Sequence, residues 1–195
     1  PHRPGHEMVY YPGETNLRAA DMIVLNKVDT ADYASIRSVR ERARAVNPGA
    51  IIVEAASPLF VENPEAIRGK RVLVVEDGPT LTHGEMAYGA GYVAAQRFGA
   101  AEIIDPRPYA VDSITATYQK YPNTGAILPA MGYGHEQMRD LEVTINNTPC
   151  DLVVVGTPID LTRLLKIKHP MERVRYELQV IGRPTVEEIL RARLG

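Results

Sequence analysis

The sequence predicts an α/β fold built on mostly parallel sheets. Three observations carry that expectation. Short, wholly apolar runs recur along the chain, as in strands buried on both faces. Stretches of helical periodicity separate them. Polar or glycine-bearing turns close nearly every run. The 195 residues are 45% hydrophobic and 24% charged, a balance that forms a packed core and excludes intrinsic disorder. A net charge of -2 argues against a general nucleic-acid surface. The single cysteine, Cys150, excludes an internal disulfide and a cysteine-rich metal site, and no metal ligands are assigned. No apolar run approaches the roughly 18 residues of a membrane helix. With no signal peptide visible, a cytoplasmic setting is expected.

The elements follow in order. Ala20 to Leu25 is an apolar run ending in Asn26-Lys27-Val28-Asp29. Tyr33, Ile36, Val39, Ala43 and Val46 then recur at helical spacing, and Asn47-Pro48-Gly49 ends that helix. Ile51-Ile52-Val53 is the next strand, running into Glu54-Ala55-Ala56-Ser57. A Pro- and Glu-bearing connection leads to the strand Arg71 to Glu76. The loop Asp77 to Gly84 precedes a helix with Met86, Ala90, Val93, Ala94 and Phe98 on one face. Ile103-Ile104 forms a strand, Ser113 to Lys120 a helix and Ala126 to Leu128 a strand, and Gly132-Tyr133-Gly134 opens a helix that runs to about Asn146. Leu152 to Val155 is the clearest strand, followed by Gly156-Thr157-Pro158-Ile159-Asp160 and a short helix. Val174 to Ile181 reads as extended, and Thr185-Val186-Glu187-Glu188 as a capping box for the last helix. The boundary expected near Asn63 to Gly69 divides residues 1–66 from 67–195.

Asn26-Lys27-Val28-Asp29 has the form of a guanine-recognition turn. Guanine presents two neighbouring N–H donors, which one carboxylate (Asp29) can accept while Lys27 lies along the ring. Ala56 and Ser57, after the next strand, would face the base from the other side. A turn capped by Asp29 or Thr30 would use the same residues. The Gly-x-x-x-x-Gly-Lys-Ser/Thr segment that cradles phosphates is absent from these residues. The opening His2-Arg3-Pro4-Gly5-His6-Glu7 is dense in anion-binding groups, although a frayed terminus would look similar. Because the chain starts at Pro1 inside that run, it reads as a fragment.

Two further turns are of the phosphate-binding kind, where free N–H groups at a helix start attract anions. One carries Gly78, Thr80, Thr82 and His83, with His83 as candidate acid or cation. The other carries Thr157, which plain capping would also explain. Arg3, His6 and Arg107 are the cationic candidates for phosphate, with Lys166 in a local basic stretch. The six tyrosines from Tyr88 to Tyr133 are expected to pack on the sheet.

Assembled, these runs resemble the cyclic 2,3-diphosphoglycerate synthetase family and its bacterial GTPase-like relatives. The longest matching segments are Val75 to Gly84, Asp105-Pro106-Arg107-Pro108-Tyr109, Leu128 to Gly134 and Gly156 to Leu161. The resemblance implies a three-layer architecture in which residues 1–66 are the C-terminal half of a P-loop, GTPase-like nucleotide-binding domain. Residues 67–195 would be a Rossmann-like α/β domain with phosphate-binding loops. It also implies ATP or GTP with Mg²⁺ as cofactor, with the phosphates held by an earlier half. The activity implied is nucleotide-driven closure of a phosphoanhydride within 2,3-diphosphoglycerate. The expected partners are a phosphorylated small molecule and at most a second copy of the chain, with no nucleic acid or membrane. A regulatory or metallochaperone-type GTPase, its second domain holding a protein client, is the competing reading. A Rossmann-like binding module without catalysis is the third.

Without a phosphate cradle, these 195 residues alone should not turn over ATP or GTP. Phosphate-release assays on the purified chain test this, and metal-dependent turnover would refute it.

Overall fold

The computed structural model describes residues 1–78, 88–131 and 134–195. The chain divides into two compact units: Pro1–Pro58 with Tyr176–Gly195, and Leu59–Arg175. The sequence order suggested a single break near residue 66. Instead the chain leaves the first unit after Pro58, and its last segment returns there as a strand of the first sheet.

The first unit opens with two short helices, α1 (His6–Val9) and α2 (Gly13–Ala19), that periodicity did not announce. Then come β1 (Met22–Asn26), α3 (Tyr33–Val46) and β2 (Ile51–Ala56). Strands β1 and β2 are parallel, with Asn26 opposite Ala55, so α3 is their crossover helix. Ile36, Val39 and Ala43 form its buried stripe, whereas Tyr33 is exposed. Asn47 caps the C-terminus of α3. Its Nδ2 also donates to the carbonyls of Leu17 at 2.9 Å and Ala20 at 2.8 Å, tying down the end of α2.

The second unit is a parallel sheet around β4 (Arg71–Asp77). After β3 (Leu59–Phe60), its elements are β4, α4 (Ala90–Arg97), β5 (Glu102–Ile103), α5 (Asp112–Lys120), β6 (Leu128–Ala130), α6 (His135–Asn147), β7 (Leu152–Val155) and β8 (Met171–Arg173). Strand β7 pairs β4 along Val72 to Val75. On its other edge, β5 takes the first residues of β4 and β6 the last. Strand alternation divides the core. Leu73, Val75, Val153 and Val155 face Ile114 of α5 and Leu141 and Ile145 of α6. Val72, Val74, Leu152 and Val154 face Ala94 and Ala95 of α4. That arrangement is the expected three layers. The buried face of α4 is Gly91, Ala94 and Ala95; Val93, placed there by periodicity, is 38% exposed. Tyr88 is exposed rather than packed on the sheet, whereas Tyr118 is held by a 2.8 Å bond from its hydroxyl to the Ile127 carbonyl.

Strands β9 (Arg175–Tyr176) and β10 (Gln179–Ile181) match the expected extended segment. Strand β10 runs antiparallel to β2, completing the first unit's β1-β2-β10 sheet. The capping box forms as expected on α7 (Val186–Leu194): Thr185 Oγ1 accepts from Glu188 N–H at 3.1 Å, and the Glu188 carboxylate accepts from Thr185 N–H at 2.8 Å. Among the described residues, no helix is long and apolar enough to cross a membrane.

Leu73 is fully buried at the centre of β4. Leu73→Ala should destabilise the second unit by about 2–5 kcal/mol. Urea unfolding measured on both proteins checks this.

Candidate functional site

In the first unit, two loops leave the carboxyl ends of adjacent parallel strands. The turn after β1 is held by backbone geometry that few residues adopt. Lys27 has φ 61°, a left-handed conformation that is costly for a non-glycine residue. It persists because the turn is fixed on both sides. Asn26 Oδ1 accepts from Lys27 N–H at 2.8 Å, and Val28 N–H donates to the Ala55 carbonyl at 3.1 Å. Such strain is stored where a turn presents functional groups.

Asp29 is exposed, and its Oδ1 accepts from the Ser57 N–H at 3.1 Å. The predicted base-binding pair is thus brought together, with Ala56 buried behind it. The capping alternative is resolved as well. Helix α3 is capped by Asp32, whose Oδ1 accepts from Ser35 N–H at 2.8 Å. Neither Asp29 nor Thr30 serves as that cap. The opening run lies beside the same turn, with His2 Nε2 3.0 Å from Thr30 Oγ1. Arg3 is exposed and its carbonyl accepts from His6 N–H, while His6 starts α1 and stacks on Tyr10. Arg42 pairs with Glu7, anchoring α1 to α3.

In the second unit, α4, next among the described elements after β4, packs on one face of the sheet, and Leu161 and Leu165, which follow β7, pack on the other. Adjacent strands whose connections diverge in this way form a topological switch point, where ligands bind in open α/β sheets. Gly78 and Thr157 stand at its two sides. Gly78 is buried against β6, and a Cβ there would lie 2.6 Å from the Ala130 carbonyl oxygen, so close backbone approach accounts for the glycine. Thr157 is 1% exposed, and its Oγ1 accepts from Ile159 N–H at 3.3 Å. The turn itself therefore uses this hydroxyl. Arg173, at the end of β8, donates to the Pro158 carbonyl and braces the same loop.

Arg107 is committed elsewhere. Its Nε donates to both Asp105 oxygens at 2.9 Å, and its Nη2 reaches Asp105 Oδ2 at 2.5 Å. That fork holds the Asp105 carboxyl below the usual range. A phosphate would have to displace it. Lys166 is exposed, and its backbone N–H donates to Glu142 on α6. Thr80, Thr82 and His83 lie outside the described residues. Among the described residues, no group of three or more His, Cys, Asp or Glu is placed to hold a metal ion.

Sequence reasoning missed Glu76. It ends the apolar run of β4 and reads there as the polar stop of a strand, yet it is 2% exposed. Its Oε1 accepts from Gly89 N–H at 3.1 Å and Tyr92 N–H at 2.8 Å, at the start of α4. Gly89 and Gly156 close over it, and a Cβ on either would fall within 2.5 Å of its carboxylate. Burial pushes its carboxyl up to about 7, against the N–H donors that favour the charged form; Asp77 nearby adds to the rise. The glycines at 89 and 156 were the legible signal, but only the fold brings them to one side chain.

The folded protein holds the Glu76 proton up to about pH 7, whereas an unfolded chain releases it near 4.5. The stability contributed by this proton is complete below about pH 4.5 and lost as pH rises through about 7. The swing is on the order of 3 kcal/mol. Glu76→Gln should flatten that part of the stability profile. Urea unfolding from pH 4.5 to 8 checks this, and an unchanged profile would remove Glu76 as its source.

Residues 8–54 match the family model described as CobW/HypB/UreG, nucleotide-binding domain. That span runs from α1 through β1, the turn after it and α3 into β2. Over 190 residues, 97% of its length, the chain is 63% identical to a protein of Thermococcus kodakarensis named arginine synthetase ArcE. The chain spans 42% of that relative's length. By these likenesses the first unit is similar to a nucleotide-binding domain of the CobW/HypB/UreG kind, and nearly the whole chain to one part of the archaeal arginine synthetase.

Proposed function

We propose that this chain is part of a nucleotide-dependent synthetase whose first unit holds a guanine base and whose product is arginine. The observation that carries the nucleotide half is the bond from the Ser57 N–H to Asp29. It aims a carboxylate across the two loops while Lys27, in its left-handed turn, stands beside it. A carboxylate matches guanine's two adjacent donors. Adenine offers a donor beside an acceptor and would leave one carboxylate lone pair opposed. GTP is therefore favoured over ATP. The match of residues 8–54 to a nucleotide-binding domain supports the same reading.

Within these residues the fit is to the base alone, since no phosphate cradle accompanies it. Bound nucleotide and Mg²⁺ would supply a phosphoryl group that turns a poor leaving oxygen into a good one. This chain's share is to select and orient the base through Asp29, Lys27 and the Ser57 backbone. The name of the archaeal relative supports arginine as product. The second unit is the substrate half in this reading. Asp77 ends β4 at the switch point, and a carboxylate there suits a guanidinium. Cyclisation of 2,3-diphosphoglycerate, implied by the motif runs, is the other outcome of the product assay.

The protein containing this chain should form arginine faster with GTP than with ATP. Asp29→Ala should weaken GDP binding by about 100-fold, from two charge-assisted hydrogen bonds. GDP titration and amino-acid analysis of the products check both. Unchanged GDP affinity in Asp29→Ala would refute the base site. A cyclic diphosphoglycerate product without arginine would refute the arginine reading.

A further inference from the structure

We propose that the first unit carries a second, separate anion site that takes a phosphate-type oxyanion. It is a cavity of about 240 Å³ walled by α3, β2 and the turn after β10. Helical spacing puts Arg40 and Arg44 on one face of α3, one turn apart. The antiparallel register sets Ile181 opposite Glu54, which brings Arg183 to the same cavity from β10. Three guanidinium groups therefore converge on a space with little apolar wall.

Their partners leave positive charge over. Arg40 pairs with Glu54, inside the cavity, and its side chain is only 27% exposed. Arg183 Nη1 lies 3.3 Å from Glu188 Oε1, but its side chain is 83% exposed and free to turn. The other Glu188 oxygen is occupied by the Thr185 cap. The Arg44 side chain is exposed and has no hydrogen-bond or ion-pair partner among the described residues. Three cations face two carboxylates, one of them already shared with a helix cap. Guanidinium forks match the oxygen spacing of phosphate, and a concave wall lets several of them reach one anion.

Size sets the class of ligand. Pockets for drug-sized molecules run to roughly 300–1,000 Å³, so this one suits orthophosphate or a small phosphate ester rather than a nucleotide. Position sets it apart from the base turn. The cavity reaches Ile52, near the amino end of β2, whereas Asp29 and Ser57 follow the carboxyl ends of β1 and β2. The two sites share no residue: the cavity uses Ile52 to Glu54 of β2, and the turn uses Asp29 and Ser57.

The test is calorimetric titration of the nucleotide-free protein with inorganic phosphate, with glycerol 3-phosphate, and with chloride at matched ionic strength. The expected result is saturable binding of phosphate or its ester but not chloride, weakened at least about tenfold in Arg44→Glu and in Arg183→Ala. Asp29→Ala should bind phosphate as the wild type does, which keeps this outcome independent of the guanine site. The tighter of the two phosphate compounds tells free anion from ester. Thermal melts of each variant confirm folding, and Arg44→Gln provides a milder second variant if Arg44→Glu fails to fold. No saturable binding, or binding unchanged in the folded arginine variants, would overturn the proposal.

Discussion

Strand β4 is the constraint on which the second unit is built. It pairs with three strands, so its residues must be buried on both faces and bonded along both edges. Val72 to Val75 meet that demand with four wholly buried apolar side chains, two to each helix layer. Extending the strand one residue further puts a carboxylate inside the protein. Glu76 is tolerated because the start of α4 turns its N–H groups toward it, exchanging hydration for backbone donors. The glycines at 89 and 156 follow from this, since any side chain there would collide with the carboxylate. One buried acid thus fixes where α4 begins and how closely the β7 loop can approach β4.

In the first unit the corresponding device is a hydrogen bond between loops. Parallel pairing of β1 with β2 places Asn26 opposite Ala55, so the turns after both strands emerge side by side. Asp29 then ties its turn to Ser57, and Val28 ties it to Ala55. A preformed carboxylate loses less on binding a base than one that must first be ordered. The left-handed Lys27 is held in place by the same bonds. Capping of α3 is delegated to Asp32, which leaves the Asp29 carboxylate facing outward.

Much of the fold was legible because buried parallel strands and amphipathic helices leave strong local patterns. The runs at Ala20 to Leu25, Ile51 to Val53, Arg71 to Glu76 and Leu152 to Val155 contain strands, and the helix from Tyr33 to Val46 buries Ile36, Val39 and Ala43 of its predicted face but leaves Tyr33 exposed. Boundaries moved where pairing rather than propensity sets them. The strand expected at Ala126 to Leu128 is β6 at Leu128–Ala130, because the end of β4 pairs there. Helices α1 and α2 were missed, being too short to show a period. Of the residues read as a base-binding turn, Asn26 bonds to Lys27 and Asp29 to Ser57, so spacing along the chain was enough to bring these two loops together. Arg107 and Thr157 looked like phosphate ligands because composition cannot show that each has a local partner in Asp105 or Ile159.

By itself, the sequence determined the α/β class, the main strands with the helices between them, the polar turn at Asn26 to Asp29 and the capping box, since each is written in residues close together along the chain. Tertiary structure alone decided three other things. It returned Tyr176–Gly195 to the first unit, set three arginines around one cavity, and buried Glu76 between glycines far apart in sequence. The physical reason is the same for all three. Strand register and helix docking bring distant residues within hydrogen-bonding range, and no local pattern encodes that distance.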